Sequence, residues 1–453
     1  MADDDVSPPV ARTRARGAAL SADLIRTSPP VVLTARGAAA TTVAMVGAAA
    51  LVLARQRGVG ALSTIWAEDA SVFLVQARSL GAFRSFVEPY AGYMHAVPRL
   101  TAAVVSALPL EAADTGFAVA SAGAAAGSAL FVYRAASSQV RTTWARLACS
   151  APLVIAPIGS SEILASAANL HWYLLYVAFW AVIWRAPSRW EAVLAAGVVI
   201  AATLSDPFTL LLLPLVAVRL LAAPRRPDAV VSGFVVAGIV QLAVVAGAGD
   251  QRALGASSNI ALLPARYVVD VVGRGLVGQR VAGGDGLEFR AVAIAVIALA
   301  VLATLAFGCR GALSRRRRVV AAAMGVSAVY FLAPVALSGV SPPRYSFAPS
   351  LLLVAAVAVL LDNRESEGSG PPTRVITIPL TCVVALLWAI GLPSNNGRDG
   401  GPSWDAALHS AASRCRDGAT AVSVPVTPSG WTALLSCRDI AHAVPDLSGT
   451  AIR

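Results

Sequence analysis

The sequence predicts an all-α polytopic membrane protein with about eleven transmembrane helices, at about 20 apolar residues for each crossing. The 453 residues are 57% hydrophobic and only 13% charged, and their mean hydropathy is +0.69. Apolar stretches follow one another along the chain, separated by short connectors that carry arginine or acidic residues. A soluble domain of this composition could not cover its surface with polar groups, whereas apolar helices are stable in a bilayer.

The basic residues indicate membrane orientation and not a nucleic-acid partner. The chain has 36 of them and a formal net charge of +11, and all are arginine because the sequence contains no lysine. They lie mostly in the connectors, as the positive-inside rule predicts for cytoplasmic helix ends. The five cysteines form no CxxC pair and have no spacing with histidine that suits zinc.

The N-terminal part, 1–36, is predicted to be a disordered cytoplasmic tail. It contains three consecutive aspartates, several prolines and several arginines, a composition that cannot bury enough apolar surface to fold. The first helix follows at about 37–54. Because many more apolar stretches come after it, we interpret it as an uncleaved anchor and not as a secretory signal.

A long loop at 55–113, rich in aromatic and charged residues, is predicted next. Its piece Leu100–Leu110 is apolar but has only 11 residues between Arg99 and Glu111. This length is too short for a crossing and suits a juxtamembrane helix lying in the membrane interface. The assignment matters because one extra crossing here would reverse the side of every later loop.

The other ten apolar stretches complete a transmembrane domain at 37–392. They are 115–133, 147–165, 170–184, 191–205, 208–223, 229–247, 289–307, 319–338, 347–361 and 374–392. With a cytoplasmic N-terminus and no crossing at 100–110, the arginine-rich connectors all fall inside. The short turns on the other side contain a single arginine, Arg344. This asymmetry predicts a multi-pass protein of the plasma membrane with an exterior C-terminus.

An exterior loop at 248–288 contains a charged stripe. Arg266, Asp270 and Arg274 recur every four residues and therefore share one face of a helix. A solvated surface is the favoured interpretation, and contact with a lipid phosphate is the alternative.

The last part, 393–453, is predicted to be a small exterior domain. It contains Cys415 and Cys437, and outside the cytoplasm such a pair favours a disulfide. Two unpaired thiols are the alternative.

The predicted topology places the uncommon polar residues on the exterior side, where they could line one cavity. They are Glu68, Asp69, Tyr90, Tyr93, His95, Arg99, Glu162, Asn169, His171, Trp172, Asp206, Arg344 and Tyr345. Several have simpler explanations, since Asp206 before a proline suits a helix N-cap and His171 with Trp172 suits an interfacial anchor. The adjacent acids Glu68 and Asp69 are harder to explain structurally, because acids just past an anchor helix gain nothing as anchors.

An acidic pair in a long first exterior loop, followed by a short juxtamembrane helix and many crossings, resembles the GT-C superfamily of integral membrane glycosyltransferases. Its members include protein O-mannosyltransferases, the lipid A aminoarabinose transferase and the actinobacterial mannosyl- and arabinofuranosyltransferases. Trp66–Phe73 matches the acidic-loop position and Tyr93–Arg99 the entry to the juxtamembrane helix. The resemblance covers 37–210 best, and the C-terminal part is shorter than many members carry.

The resemblance implies transfer of a sugar from a polyprenyl-phosphate donor to a cell-envelope glycan or glycolipid, with no metal or other cofactor. A carboxylate must then take the acceptor proton, and Asp69 is the first candidate, with Glu68 orienting it or replacing it. Arg344, and second Arg99, would stabilise the phosphate. The sugar would contact the remaining candidates, which are His171, Asn169, Trp172, Tyr93, His95, Asp206 and Tyr345.

Two other classes remain open at this point. A transporter or lipid flippase would show paired repeats and charged or broken helices near the midplane, and the central parts of most stretches lack charge. A non-catalytic envelope assembly protein would use the C-terminal part for contacts.

Overall fold

The structure is a computed structural model and describes residues 23–31, 34–56, 58–158, 160–222, 228–248, 260–283, 286–362, 385–392 and 397–444. It is mostly helical, 74%, with little sheet. The α-helices α1 to α10 are Ala35–Ala54, Val75–Leu80, Ala82–Val87, Ala96–Ser106, Ala113–Ala136, Thr143–Ser150, Pro152–Ile155, Ser160–Ile163, Leu170–Ile183 and Arg189–Thr203. Helices α11 to α20 are Leu213–Ala222, Ala229–Gly247, Leu263–Arg266, Gly275–Val277, Gln279–Ala282, Phe289–Gly308, Arg310–Ser338, Phe347–Leu361, Trp404–Arg416 and Cys437–Ala443.

Tighter and wider helical turns join these helices. The 3-10 turns are Ala61–Ser63, Leu110–Ala112, Pro207–Leu212, Ile260–Leu262 and Pro343–Ser346, and the π-helical turns are Asp69–Leu74 and Tyr267–Arg274. Strands β1 and β2, Arg26–Thr27 and Trp184–Arg185, pair in parallel, and β3 and β4, Ala421–Val426 and Trp431–Ser436, form an antiparallel hairpin.

Six described helical segments are long and apolar enough to cross a membrane. They are Ala35–Ala54, Leu110–Ala136, Ala229–Gly247, Phe289–Gly308, Arg316–Ser338 and Pro343–Leu361. Several other apolar helices are shorter than a full crossing. An all-α membrane protein is therefore supported, whereas eleven crossings are not all present as long helices. Most of the stretch predicted at 374–392 lies outside the described residues.

One predicted crossing, 147–165, is divided into α6, α7 and α8. Proline has no backbone N–H, so Pro152 cannot donate the helical hydrogen bond four residues back, and α6 and α7 are separated by a single turn at Ala151. The helical backbone ends at Ala156, where ψ is 133°. The chain then reverses through 164–169 before α9 begins. The break matters because this reversal carries several of the candidate site residues.

Helix α9 forms the axis of the fold. All of its residues except Leu174 are buried, since apolar side chains surround it on every face. Its 14 residues give it a length of about 21 Å, at about 1.5 Å per residue. Side chains near Asn169 and near Trp184 therefore lie at opposite ends of the molecule.

The end near Trp184 gathers the arginine-rich connectors that the sequence places on one side. Arg134 pairs with Glu191 at 2.7 Å, and Arg219 with Asp228 at 2.7 Å. Connectors from distant parts of the sequence thus meet at this end.

The N-terminal segment 23–31 packs at the same end. Leu24 and Ile25 are buried, β1 pairs with β2, and Asp23 accepts a hydrogen bond from Arg318 at 2.8 Å. This corrects the prediction of disorder for that part of 1–36, because the segment contributes two apolar anchors as well as charges. Residues 1–22 lie outside the described part.

Helix α4 corresponds to the predicted juxtamembrane helix. It has 11 residues, and at about 1.5 Å per residue it is only about 17 Å long. Leu100 and Val104 are 58% and 62% exposed, whereas Ala102 and Val105 on the other face are buried. A short helix with one apolar exposed face is suited to lying along a membrane surface.

The charged stripe at Arg266, Asp270 and Arg274 is not a solvated surface, so that interpretation is wrong. Asp270 and Arg274 are buried and form an ion pair, and Arg274 also donates to the carbonyl of Gly286. Arg266 donates to Ser341 Oγ at 2.5 Å. The stripe faces inward because it packs beneath the turn that carries Arg344.

The C-terminal residues form a folded unit of α19, the β3–β4 hairpin and α20, so the prediction of an all-α chain omits a small sheet. A disulfide joins Cys415 to Cys437. The hairpin turn pairs with the first loop, where Thr427 N donates to the carbonyl of Ile65 at 3.1 Å and Ala67 N donates to the carbonyl of Thr427. This pairing places the hairpin beside Glu68.

Candidate functional site

A cavity of about 590 Å³ lies at the end of the fold where α9 begins. It is surrounded by the first loop, the segment from α8 to the first residues of α9, the starts of two 3-10 turns and the C-terminal residues from 397 onward. The lining residues are Trp66, Ala67, Glu68, Phe73, Tyr90, Ala91, Tyr93, His95, Glu162, Ala168, Asn169, His171, Trp172, Asp206, Phe208, Arg344, Tyr345, Gly397, Pro428 and Trp431. All predicted catalytic and substrate-binding residues except Asp69 and Arg99 are among them.

The adjacent acids Glu68 and Asp69 have different surroundings. Successive residues of a helix point about 100° apart, and the π-helical turn begins at Asp69. The Asp69 carboxylate is fully buried and accepts hydrogen bonds from Ala168 N at 2.6 Å and Ala167 N at 3.0 Å. Asp69 therefore fixes the reversal before α9 and does not line the cavity, which corrects its assignment as the first candidate base.

Burial changes the ionisation of Asp69. It raises the pKa of the carboxyl from 3.8 to about 7, opposed by the two backbone hydrogen bonds and the positive charge of Arg398. A buried charge is costly unless it is compensated. The backbone N–H groups and Arg398 provide that compensation for the Asp69 carboxylate.

Arg398 provides that positive charge and was not predicted as a site residue. Its guanidinium donates to the Ala165 carbonyl at 2.9 Å and to Thr64 Oγ1 at 3.0 Å, and it lies 5.4 Å from the centroid of the Trp66 ring. Burial lowers the pKa of Arg398 to about 10, and the nearby Asp69 opposes the change. In sequence it is one arginine in a Gly-rich segment, so no local pattern distinguishes it.

Glu68 is the acid that reaches the cavity. Its side chain is half-buried, and among the described residues its carboxylate makes no hydrogen bond or ion pair. Burial raises the pKa of Tyr90, and the negative charge of Glu68 adds to that effect. The two side chains are therefore near one another. Glu162 and Asp206, the other lining carboxylates, both have a partner.

Glu162 is the partner of Arg344. The two side chains form an ion pair in which the Arg344 Nη1 donates to Glu162 Oε2. The guanidinium also lies 5.6 Å from the centroid of the Tyr345 ring. Arg344 remains 37% exposed in its side chain, so an incoming anion could bind to its open side.

His171 is the partner of Asp206, with Nδ1 2.6 Å from Oδ2. The other oxygen, Oδ1, accepts from Phe208 N at 2.8 Å, so Asp206 is a helix N-cap as well as a cavity residue. Both side chains are nearly buried, at 10% and 2% exposure. A carboxylate held at one ring nitrogen fixes the orientation of the imidazole.

Aromatic rings form two walls of the cavity. On the first loop, the Tyr93 and His95 rings stack at 4.0 Å, and Phe73 contacts Tyr90 edge to face at 5.7 Å. The second wall is formed by His171, Trp172 and Tyr345. The ring centroids of His171 and Trp172 are 4.4 Å apart, and those of Trp172 and Tyr345 are 5.2 Å apart.

Asn169 faces the cavity but is already held by the protein. Its amide donates to the Glu162 carbonyl and to Ser166 Oγ, each at 3.1 Å. The side-chain oxygen has no described protein partner, so a ligand hydroxyl could donate to it.

Arg99 is not part of the cavity, which corrects its assignment as a phosphate ligand. It is 1% exposed, donates to the Ser85 carbonyl at 2.6 Å and to Gln76 Oε1 at 2.8 Å, and lies over the Phe73 ring at 5.3 Å. Burial lowers its pKa to about 10. Arg99 thus supports the first wall from behind, joining α4 to α2 and α3.

The C-terminal unit contributes Gly397, Pro428 and Trp431, which the sequence did not indicate as site residues. Trp431 is 37% exposed at the rim. In the described ranges no group of three or more His, Cys, Asp or Glu side chains could hold a metal ion. The cavity thus offers one unpaired carboxylate, one partly open guanidinium, one His–Asp pair and several aromatic planes.

No protein-family model matches this chain, and no curated protein matches it significantly.

Proposed function

We propose that the protein is a membrane glycosyltransferase of the GT-C type. It would transfer a sugar from a polyprenyl-phosphate donor to a cell-envelope glycan or glycolipid on the exterior face of the plasma membrane. The observation that carries the proposal is that Glu68 and Arg344 line one cavity with the aromatic rings. A carboxylate, a phosphate-binding cation and flat apolar surfaces are what transfer from such a donor requires.

The proposed topology has eleven crossings, a cytoplasmic N-terminus and an exterior C-terminus. The separation between the two ends of α9 supports it, since the arginine-rich connectors meet at one end and the cavity opens at the other. The short helices α6, α9, α10 and α11 would each cross together with the turns beside them. Under the positive-inside rule the connector end is cytoplasmic.

In the proposed reaction Glu68 is the general base. The acceptor oxygen forms a bond to the anomeric carbon of the sugar and gives its proton to Glu68. The bond from that carbon to the phosphate oxygen breaks, and its electron pair goes to the phosphate. Arg344 stabilises the added negative charge, because a guanidinium can donate to two phosphate oxygens at once. Asp69 and Arg398 hold the backbone on which these groups are placed.

The experiment that tests this function is lipid analysis of a deletion strain. Loss of the enzyme should lead to accumulation of a polyprenyl-phosphate sugar and loss of one envelope glycan or glycolipid, and the wild-type gene should restore both. Movement of a lipid across the membrane without a new glycosidic bond would instead indicate a flippase. An unchanged donor pool and glycan profile would contradict the proposal.

A further inference from the structure

We infer that the cavity takes up a proton at His171 when it binds an anionic phosphodiester lipid, so that the His171–Asp206 pair is the second cationic part of the phosphate site. The inference rests on the proposed function, because it concerns the donor of that reaction. It assigns His171 a role different from contact with sugar hydroxyls.

The charge of the cavity motivates the inference. Three carboxylates, on Glu68, Glu162 and Asp206, line it together with one guanidinium, on Arg344. With neutral histidines the formal balance is −2, and Arg344 already has Glu162 as its partner. A phosphodiester monoanion would enter this environment against repulsion unless the cavity gained positive charge.

His171 is placed to supply that charge. Because an ionised carboxylate can only accept hydrogen bonds, the Nδ1 atom 2.6 Å from Asp206 carries a hydrogen. The side chain lines the cavity, so Nε2 is the ring nitrogen left for a ligand, and among the described residues no group is hydrogen-bonded to it. Protonation of Nε2 turns a hydrogen-bond acceptor into a charged donor.

Several elements pack around the His171–Asp206 pair. Asp206 is held in place by Phe208 N, so its carboxylate stays against the ring. Tyr330 lies behind Asp206, and its buried hydroxyl has no hydrogen-bond partner in the described structure. On the cavity side Trp172 packs against His171, followed by Tyr345 and then Arg344. Arg344 is the cation on this wall, and Glu162 offsets it.

His95 is the alternative proton acceptor and provides the matched control. It lines the same cavity, but its Nδ1 lies 3.2 Å from the carbonyl of Tyr93 and its ring is stacked on Tyr93. The Nδ1 contact of His95 is thus with a backbone carbonyl, whereas that of His171 is with a carboxylate. His95→Asn therefore tests whether proton uptake belongs to His171 or to any imidazole of the cavity.

The test is isothermal titration calorimetry of the purified full-length protein with methyl farnesyl phosphate. This probe is a phosphodiester that stays a monoanion across the pH range used. Titrations at one pH in two buffers of different ionisation enthalpy give the number of protons taken up. Repeating them from about pH 5.5 to about pH 8.5 spans the ordinary ionisation of imidazole. Dimethyl phosphate serves as the headgroup without its lipid.

The wild type should take up a proton on binding, and its Kd should rise by up to about tenfold per pH unit at the alkaline end. His171→Asn keeps an amide donor to Asp206 but cannot be protonated, so proton uptake and the pH dependence should both disappear. Asp206→Asn keeps the N-cap and should move the dependence to lower pH. His95→Asn should retain proton uptake. If dimethyl phosphate binds more weakly but with the same proton uptake, the uptake is due to the phosphate group and the lipid tail adds affinity separately.

Binding without proton uptake in the wild type, or uptake that persists in His171→Asn and is lost in His95→Asn, would overturn the inference while leaving the proposed function intact. If methyl farnesyl phosphate does not bind at any pH, both the inference and the proposed donor class are wrong.

Discussion

Glu68 and Asp69 are adjacent in sequence, yet Asp69 is fully buried against the backbone of Ala167 and Ala168 while Glu68 lines the cavity. The first acid is available to a ligand and the second organises the turn that precedes α9. The two residues should therefore respond differently to the same loss of charge.

Asp69 should make the stability of the protein depend on pH. Because its pKa is raised from 3.8 to about 7, the folded protein holds this proton more tightly than the unfolded chain does. Its contribution to stability is fully present below the unfolded value and is lost as the pH rises towards the folded value. The thermal midpoint in detergent should fall over that window, and Asp69→Asn should flatten the change. Glu68→Gln is the matched control and should keep the wild-type dependence.

Arg398 and Asp69 should be energetically coupled. Replacing Arg398 by Gln removes charged hydrogen bonds to the 164–169 reversal and should destabilise the protein by about 1–3 kcal/mol. The double variant with Asp69→Asn should lose less than the sum of the two single losses, by about 0.5–3 kcal/mol, since each residue compensates the other. Chemical denaturation of the four proteins measures the coupling. Additive losses would show that the two charges act independently.

Glu162 should compete with the donor phosphate for Arg344. Glu162→Gln frees the guanidinium, so the KM for the lipid-linked donor should fall several-fold. Arg344→Lys keeps the charge but loses the two-point contact, and should raise that KM by about tenfold. Glu191→Gln provides a control, because Glu191 forms the corresponding pair with Arg134 at the other end of the molecule. A higher KM in Glu162→Gln would mean that the pair itself binds the donor.

The two ends of the molecule should lie on opposite sides of the membrane. A reporter fused after Arg141 should report the cytoplasm, and one fused after Cys437 should report the exterior. Both fusions on one side would mean an even number of crossings between Arg141 and Cys437 and would contradict the proposed topology. A reversal of both reporters would instead show that α4 crosses the bilayer.

Sequence reasoning found most of the cavity because its residues come from turns on one predicted side of the membrane. Topology alone was enough to group His171, Asp206 and Arg344. It could not distinguish Glu68 from Asp69, since that depends on how the π-helical turn orients two neighbouring side chains. Trp431 and Arg398 were missed because pairing of the C-terminal hairpin with the first loop is a long-range contact without a local signal.

The broken helix at 147–165 and the buried stripe at 266–274 have other causes. Pro152 indicated a break, but hydrophobicity alone favoured one continuous helix. The spacing of Arg266, Asp270 and Arg274 defined a helix face correctly. It could not show that Ser341 and Gly286 would cover that face.

The most direct test of the account is the turnover of Glu68→Gln. Membranes from the deletion strain carrying wild-type or variant protein would be supplied with the polyprenyl-phosphate sugars extracted from that strain, and formation of the glycosylated product would be measured. The account predicts a loss in kcat of about 10²–10⁴-fold with donor binding retained, whereas Asp69→Asn that remains folded should keep most of its turnover. Wild-type turnover in Glu68→Gln would contradict it.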